Sequence, residues 1–158
     1  MKKVLVIGYG NALRSDDGVG PWVAEQVASH HLPGVDVKTY HQLGVELAAD
    51  LVEYRAVIFV DASHGEEHHL GRIVPEGNSP GFLPGHSTDP LSLCQLAREV
   101  YGAEFDVHVF GVPGERFEFG SRLSPEAESR GREAVDRILS LLKGIGEGIS
   151  EAAGHATR

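Results

Sequence analysis

Hydrophobic and polar positions follow two rhythms along the chain. Short unbroken apolar runs, Val4–Gly8 and Ala56–Val60, stand among stretches in which apolar residues recur every three or four positions. Unbroken runs suit strands covered on both faces, whereas the longer period suits helices with one buried side. The pattern predicts a strand at Val4–Gly8 and a helix from about Gly18 to Ser29, striped by Val19, Val23 and Val27. Pro21 is compatible with that helix because it falls in the first turn. A strand at Val35–Tyr40, a helix at Gly44–Glu53 and the strand Ala56–Val60, ending in Asp61, follow. Gly71–Pro75 is expected as a short edge strand, Pro90–Tyr101 as a helix and Phe105–Val112 as a strand. Ser124 as N-cap and Pro125 at the first position open a last helix running to about Lys143. Strands and helices in alternation give an α/β fold, a three-layer α/β/α sandwich on a mostly parallel five-stranded sheet. Residues 1–145 form one domain, and the Gly- and Ala-rich stretch 146–158 is expected to be a flexible tail.

Composition narrows the function. A chain of 158 residues can bury one sizeable core. Its net charge of −9 argues against a nucleic-acid partner, since phosphate binding needs clustered Lys and Arg. The single cysteine, Cys94, excludes an internal disulfide and a four-cysteine zinc site, and its apolar neighbours make it a packing residue. The apolar run Val4–Ile7 is too short for a signal peptide, and no segment is long enough for a membrane span. A cytoplasmic protein, not bound to membrane and monomeric, is the expectation.

The first strand leads into Gly8-Tyr9-Gly10-Asn11-Ala12-Leu13-Arg14-Ser15-Asp16-Asp17-Gly18-Val19-Gly20. A dinucleotide-binding turn would need a third glycine where Leu13 stands, and the two aspartates would repel a phosphate. One of Asp16 and Asp17 is expected to cap the helix; the other is then free to face a cleft. Asp61 ends an apolar strand at the edge where open α/β sheets bind ligands. If strands one and three are neighbours, Asp17 and Asp61 share a crevice.

Of nine histidines, His30 and His31 close the first helix, and His64, His68 and His69 lie in a polar, solvated loop. His41 and His108 are compatible with core or cleft, and His155 lies in the tail. His86 sits in a loop leading directly into a helix, from which an imidazole can swing toward Asp17 and Asp61. Two carboxylates and an imidazole suit Ni, Zn, Mn or Fe(II) with open positions, and do not choose among them. No Gly-x-Ser-x-Gly elbow is present, so a serine nucleophile has no support.

These motifs together resemble the hydrogenase maturation endopeptidases over roughly Lys3 to Leu142. Four blocks match in order: the Gly8–Gly20 turn, Gly44-Val45-Glu46-Leu47, the strand into Asp61-Ala62, and Gly111-Val112 leading through Phe117, Gly120 and Leu123-Ser124 into the last helix. The resemblance implies that Asp17, Asp61 and His86 bind metal and carry catalysis, with Asp89 and His108 as reserves for His86. It implies an endopeptidase that trims the C-terminal extension of a NiFe-hydrogenase large-subunit precursor. The precursor would bring the nickel, held by its own cysteines. Gly114 departs from the proline frequent in relatives and is expected to affect loop stiffness more than chemistry. Two other readings stand beside this one: a nickel-sensing chaperone that does not cut, and a peptidyl-tRNA hydrolase-like enzyme. The Ser15-Asp16-Asp17 stretch disfavours the last.

Overall fold

A computed structural model describes residues 2–64, 69–73 and 88–156, with backbone alone for 69–73 and 147–156. Five strands, β1 (Lys3–Tyr9), β2 (Val35–Tyr40), β3 (Tyr54–Ser63), β4 (His69–Ile73) and β5 (Asp106–Pro113), form one sheet in the order β2-β1-β3-β5-β4. The first four in that order run parallel, and β4 pairs antiparallel with β5 at the edge. The expected five-stranded, mostly parallel sheet is therefore present. Its edge strand lies at His69–Ile73, slightly earlier than the turn-bounded run Gly71–Pro75 suggested.

The alternation of side chains along the strands divides the core in two. Val4, Val6, Ile58 and Val60 face helix α1 (Val19–Ala28) and helix α3 (Pro125–Ala156), meeting Val19, Val23, Val27, Ala134 and Ile138. Leu5, Ile7, Val57 and Phe59 face the opposite layer, which consists of a 3₁₀ segment (Val45–Glu53) and helix α2 (Pro90–Tyr101). Cys94 is buried there among Leu93, Ala97 and Val107, as its apolar surroundings led one to expect.

Gly44–Glu53 was expected to be an ordinary helix and is instead 3₁₀ from Val45 to Glu53. The connection must return from the end of β2 to the start of β3, and Tyr54 opens β3 with no intervening loop. A 3₁₀ helix rises about 2.0 Å per residue, against 1.5 Å for an α-helix, so it spans a strand's length in fewer residues. At the other end, α3 continues past Lys143 to Ala156. The glycines after Lys143 lower helix propensity, but no proline breaks the ladder.

The start of α3 is built as the sequence predicts. Ser124 Oγ accepts the Ala127 N–H at 3.2 Å, capping α3 ahead of Pro125. Asp89 caps α2: its Oδ1 accepts the Ser92 N–H at 2.8 Å and its Oδ2 the Ser92 hydroxyl at 3.0 Å. Asp89 is thus a capping residue, each of its oxygens accepting one hydrogen bond from Ser92. His108 drops out as a reserve ligand. It pairs with Ile58 in mid-sheet, three residues before Gly111, the partner of Asp61. That offset is roughly 10 Å along a strand.

Candidate active site

The turn after β1 is shaped by close approach rather than by a phosphate. A Cβ on Gly20 would lie 2.5 Å from the Val60 carbonyl oxygen, 2.6 Å from that of Tyr9 and 3.1 Å from the Asp61 Cα. Helix α1 therefore begins wedged against the ends of β1 and β3. Gly8 makes room for the Gly20 carbonyl, and Gly10, at φ +149°, makes room for that of Asp17. The glycine-rich motif is a packing device that brings the acidic turn Ser15–Gly18 to the crevice between two neighbouring parallel strands.

Asp16 and Asp17 divide their duties. Asp16 is fully buried, and its Oδ2 accepts the N–H groups of Glu115 (2.7 Å) and Arg116 (2.9 Å) and the Ser124 hydroxyl (2.7 Å). Its Oδ1 accepts the Ser124 N–H at 2.7 Å. Burial opposes the charge, but these bonds outweigh it and hold the carboxyl below the usual range. One of the pair was expected to cap its own helix. Asp16 instead clamps a distant loop onto the turn, because all four donors come from residues 115–124.

That leaves Asp17 for the crevice. Its Oδ2 accepts the Asn11 N–H at 2.7 Å, and its charge acts on both Asp61 and Tyr9. Asp61 Oδ2 accepts the Tyr9 hydroxyl at 2.9 Å. Burial is the main cause that raises the Asp61 carboxyl above its ordinary value, and the charge of Asp17 adds to it; the Tyr9 bond and His64 act the other way. Burial, then the charge of Asp61 and the bond to it, likewise raise the Tyr9 phenol. Among the described residues, no other residue donates a hydrogen bond to the second oxygen of Asp17 or Asp61. Tyr9 anchors Oδ2 of Asp61, whose carboxylate also accepts from its own backbone N–H, and Asn11 anchors Oδ2 of Asp17.

His86 lies outside the described residues. Among the described residues, no group of three or more His, Cys, Asp or Glu side chains is gathered to hold an ion. The two carboxylates are oxygen donors suited to a hard or borderline cation, but they need a further ligand from elsewhere. Three contributors escaped the sequence reading. Tyr9 sits beside Asp61 because Gly8 pairs with Val60, a register that chain order alone does not give. Asn11 contributes a backbone N–H, which no residue type advertises. His64, expected to be a solvated loop residue, is exposed but stacks on Phe117, with ring centroids 4.2 Å apart. Gly114 permits this arrangement, since a Cβ there would come within 2.6 Å of the Phe117 ring.

Fold and crevice together define a class: a three-layer α/β/α protein whose reactive edge carries paired carboxylates instead of a nucleotide loop or a serine elbow. Comparison with known proteins shows what the chain is similar to. The chain is 28% identical to the hydrogenase 2 maturation protease of Escherichia coli K12 over 172 aligned positions, covering 97% of this chain and 99% of that protein. A solved hydrogenase 2 maturation peptidase from Thaumarchaeota archaeon SCGC_AB-539-E09 is 26% identical, with a TM-score of 0.66 over 89% of this chain and 98% of that one. The hydrogenase-maturating endopeptidase structure from Escherichia coli shares the fold, with a TM-score of 0.69 at 22% identity over 91% and 94% of the two chains. No protein-family model matches the chain. Over nearly its whole length, then, the chain is similar to hydrogenase maturation proteases.

Proposed function

We infer that this protein is the endopeptidase that removes the C-terminal extension from a NiFe-hydrogenase large-subunit precursor, acting on the nickel-loaded form. The observation that carries the reading is the pairing of Asp17 and Asp61 at the β1–β3 crevice, each anchored through Oδ2 by a neighbouring donor. It sits on a chain similar over nearly its whole length to a hydrogenase maturation protease.

In this reading, Asp17, Asp61 and His86 complete the coordination of nickel that the precursor brings with it. Support for His86 comes from its chain neighbours. Two residues downstream, the Thr88 N–H donates to the Leu43 carbonyl, and the charge of Asp89 acts on Tyr9. The chain therefore enters α2 on the face of the sheet that carries Tyr9 and Asp61. Nickel held there supplies Lewis acidity to the scissile carbonyl or to water. Asp17, Asp61 and His86 would hold that metal, and in the alternative a carboxylate such as Asp17 would act as the base that takes a proton from water. A nickel-free precursor would lack the bond that docks it, which makes processing conditional on metal insertion. The cytoplasm is the compartment that fits; among the described residues, no helix is long and apolar enough to cross a membrane.

The test is to incubate nickel-loaded precursor with wild-type protein and with Asp17→Asn and His86→Ala variants, then weigh the products. Wild-type protein should shorten the precursor, and each variant should fail. Trimming at the wild-type rate by either variant would remove that residue from the mechanism. Precursor bound but never shortened by the wild type would replace the peptidase with the non-cutting chaperone.

A further inference from the structure

The Tyr9–Asp61 hydrogen bond has no place in the ligand set just described, yet it governs one of its members. Tyr9 is the last residue of β1, and its ring packs partly buried against the layer containing Leu5, Ile7 and Phe59. Asp61 follows Val60, which pairs with Gly8, so phenol and carboxylate are lateral neighbours on adjacent parallel strands. The hydroxyl donates to Asp61 Oδ2 at 2.9 Å. The Asp61 backbone is fixed as well: its strand continues to pair with β5 through Asp61↔Gly111, and Gly20 presses close to its Cα.

We propose that Tyr9 is a positioning residue that fixes the Asp61 carboxylate so that only Oδ1 faces an incoming metal ion. This rests on the reading of Asp61 as a metal ligand given above. A carboxylate with both oxygens free can turn edge-on and chelate a cation through both. Tying Oδ2 to a half-buried phenol disfavours that option and favours end-on ligation through Oδ1. Asp17 is arranged in the same sense, since the Asn11 N–H occupies its Oδ2 at 2.7 Å. Two carboxylates held to one oxygen each use fewer coordination positions than two chelating ones. Positions therefore remain for a partner's ligands, which a protein meeting an already ligated metal requires. Partners of this kind orient ligands in metal sites generally, and their loss typically weakens binding by about 10–100-fold.

Tyr9→Phe keeps the ring and deletes only the hydroxyl. Cd²⁺ binding to the whole chain, followed by calorimetry and by ¹¹³Cd chemical shift, reads the effect without recourse to activity. The expected result is an affinity loss of about 10–100-fold, with a changed ¹¹³Cd shift as Asp61 becomes free to chelate. The melting temperature is measured alongside, and Asp61→Asn and the double variant complete a cycle. In the Asp61→Asn background, Tyr9→Phe should cause no further loss. Unchanged affinity and shift in Tyr9→Phe would overturn the proposal, as would an equal loss with or without Asp61. If Asp61→Asn itself binds Cd²⁺ like the wild type, the reading of Asp61 as a ligand fails, and Tyr9's role fails with it. If Asp61→Asn loses the metal and Tyr9→Phe does not, only the role of Tyr9 fails.

Discussion

Asp16 and Ser124, 108 residues apart in sequence, are joined by two hydrogen bonds of 2.7 Å each, one to the serine N–H and one to its hydroxyl. The pair fastens the start of α3 to the turn that carries Asp17. The rest of the Asp16 carboxylate is spent on the N–H groups of Glu115 and Arg116. Arg130, on α3, adds a 2.7 Å bond to Glu115 from the far side of the same loop.

Neighbouring aspartates should therefore give opposite phenotypes. Asp16→Ala leaves the two buried donors of Ser124 and the part-buried N–H groups of Glu115 and Arg116 unpaired, and is expected to cost about 3–5 kcal/mol of stability, as does breaking a buried charged network. Asp17→Asn should leave the urea midpoint near that of the wild type and abolish precursor trimming. Denaturation curves and product masses for the two variants check this. A mild Asp16→Ala would show that the clamp is dispensable.

Asp16 also sets an acid limit. Its folded carboxyl is held below the ordinary value, so the unfolded chain binds a proton there more readily. Stability from this group is present above the unfolded-state value, near 3.8, and is lost as pH falls through the depressed folded value. Asp16→Asn should accordingly be less stable than wild type at neutral pH, with the gap narrowing in strong acid. Melting temperatures from pH 7 down to pH 2 would follow it.

Asp61 predicts the reverse sign. Burial and Asp17 raise its carboxyl, so its favourable contribution is present below the unfolded value and is lost as pH rises through the folded one. In its ionised form the group weakens the fold. Asp61→Asn is expected to melt a few degrees above the wild type at pH 7 while losing its processing activity, the trade common at functional sites. A lower melting temperature at pH 7 would contradict the assignment of burial as the dominant cause.

Gly20 should tolerate no side chain. Gly20→Ala would push a methyl carbon against two backbone carbonyl oxygens, 2.5 and 2.6 Å away, neither able to rotate aside. A destabilisation of about 1–3 kcal/mol is expected, together with displacement of Asp17 from Asp61 and weaker Cd²⁺ binding. Gly34→Ala offers a control, because nothing lies within 4 Å and only its φ of +74° opposes the change. Calorimetric melting and Cd²⁺ titration of both variants compare them.

Cys94 should behave as a core residue. It is 1% exposed, and burial, with some help from Asp89, pushes its thiol up to about 12. Native protein is expected to resist alkylation at pH 8, and urea-unfolded protein to react at once; mass spectrometry of the alkylated chain distinguishes them.

Local chemistry in the sequence determined much of this molecule. The unbroken runs at β1 and β3 announced buried parallel strands, Ser124-Pro125 announced the start of α3, and the ordered blocks from Gly8 to Ser124 announced the resemblance to hydrogenase maturation proteases. Asp61 was legible because a carboxylate ending an apolar strand has few reasons to be there. What only tertiary structure decided depends on which distant residues become neighbours. Asp16 and Asp17 look alike in sequence, and only the folding back of residues 115–124 assigns one to the clamp and one to the crevice. Tyr9 read as part of a glycine turn until the β1–β3 register set its hydroxyl on Asp61. The extended 3₁₀ crossover arose from the distance to be spanned, which no residue along it encodes. Strand register and loop return are properties of the whole chain's packing, so no single segment can declare them.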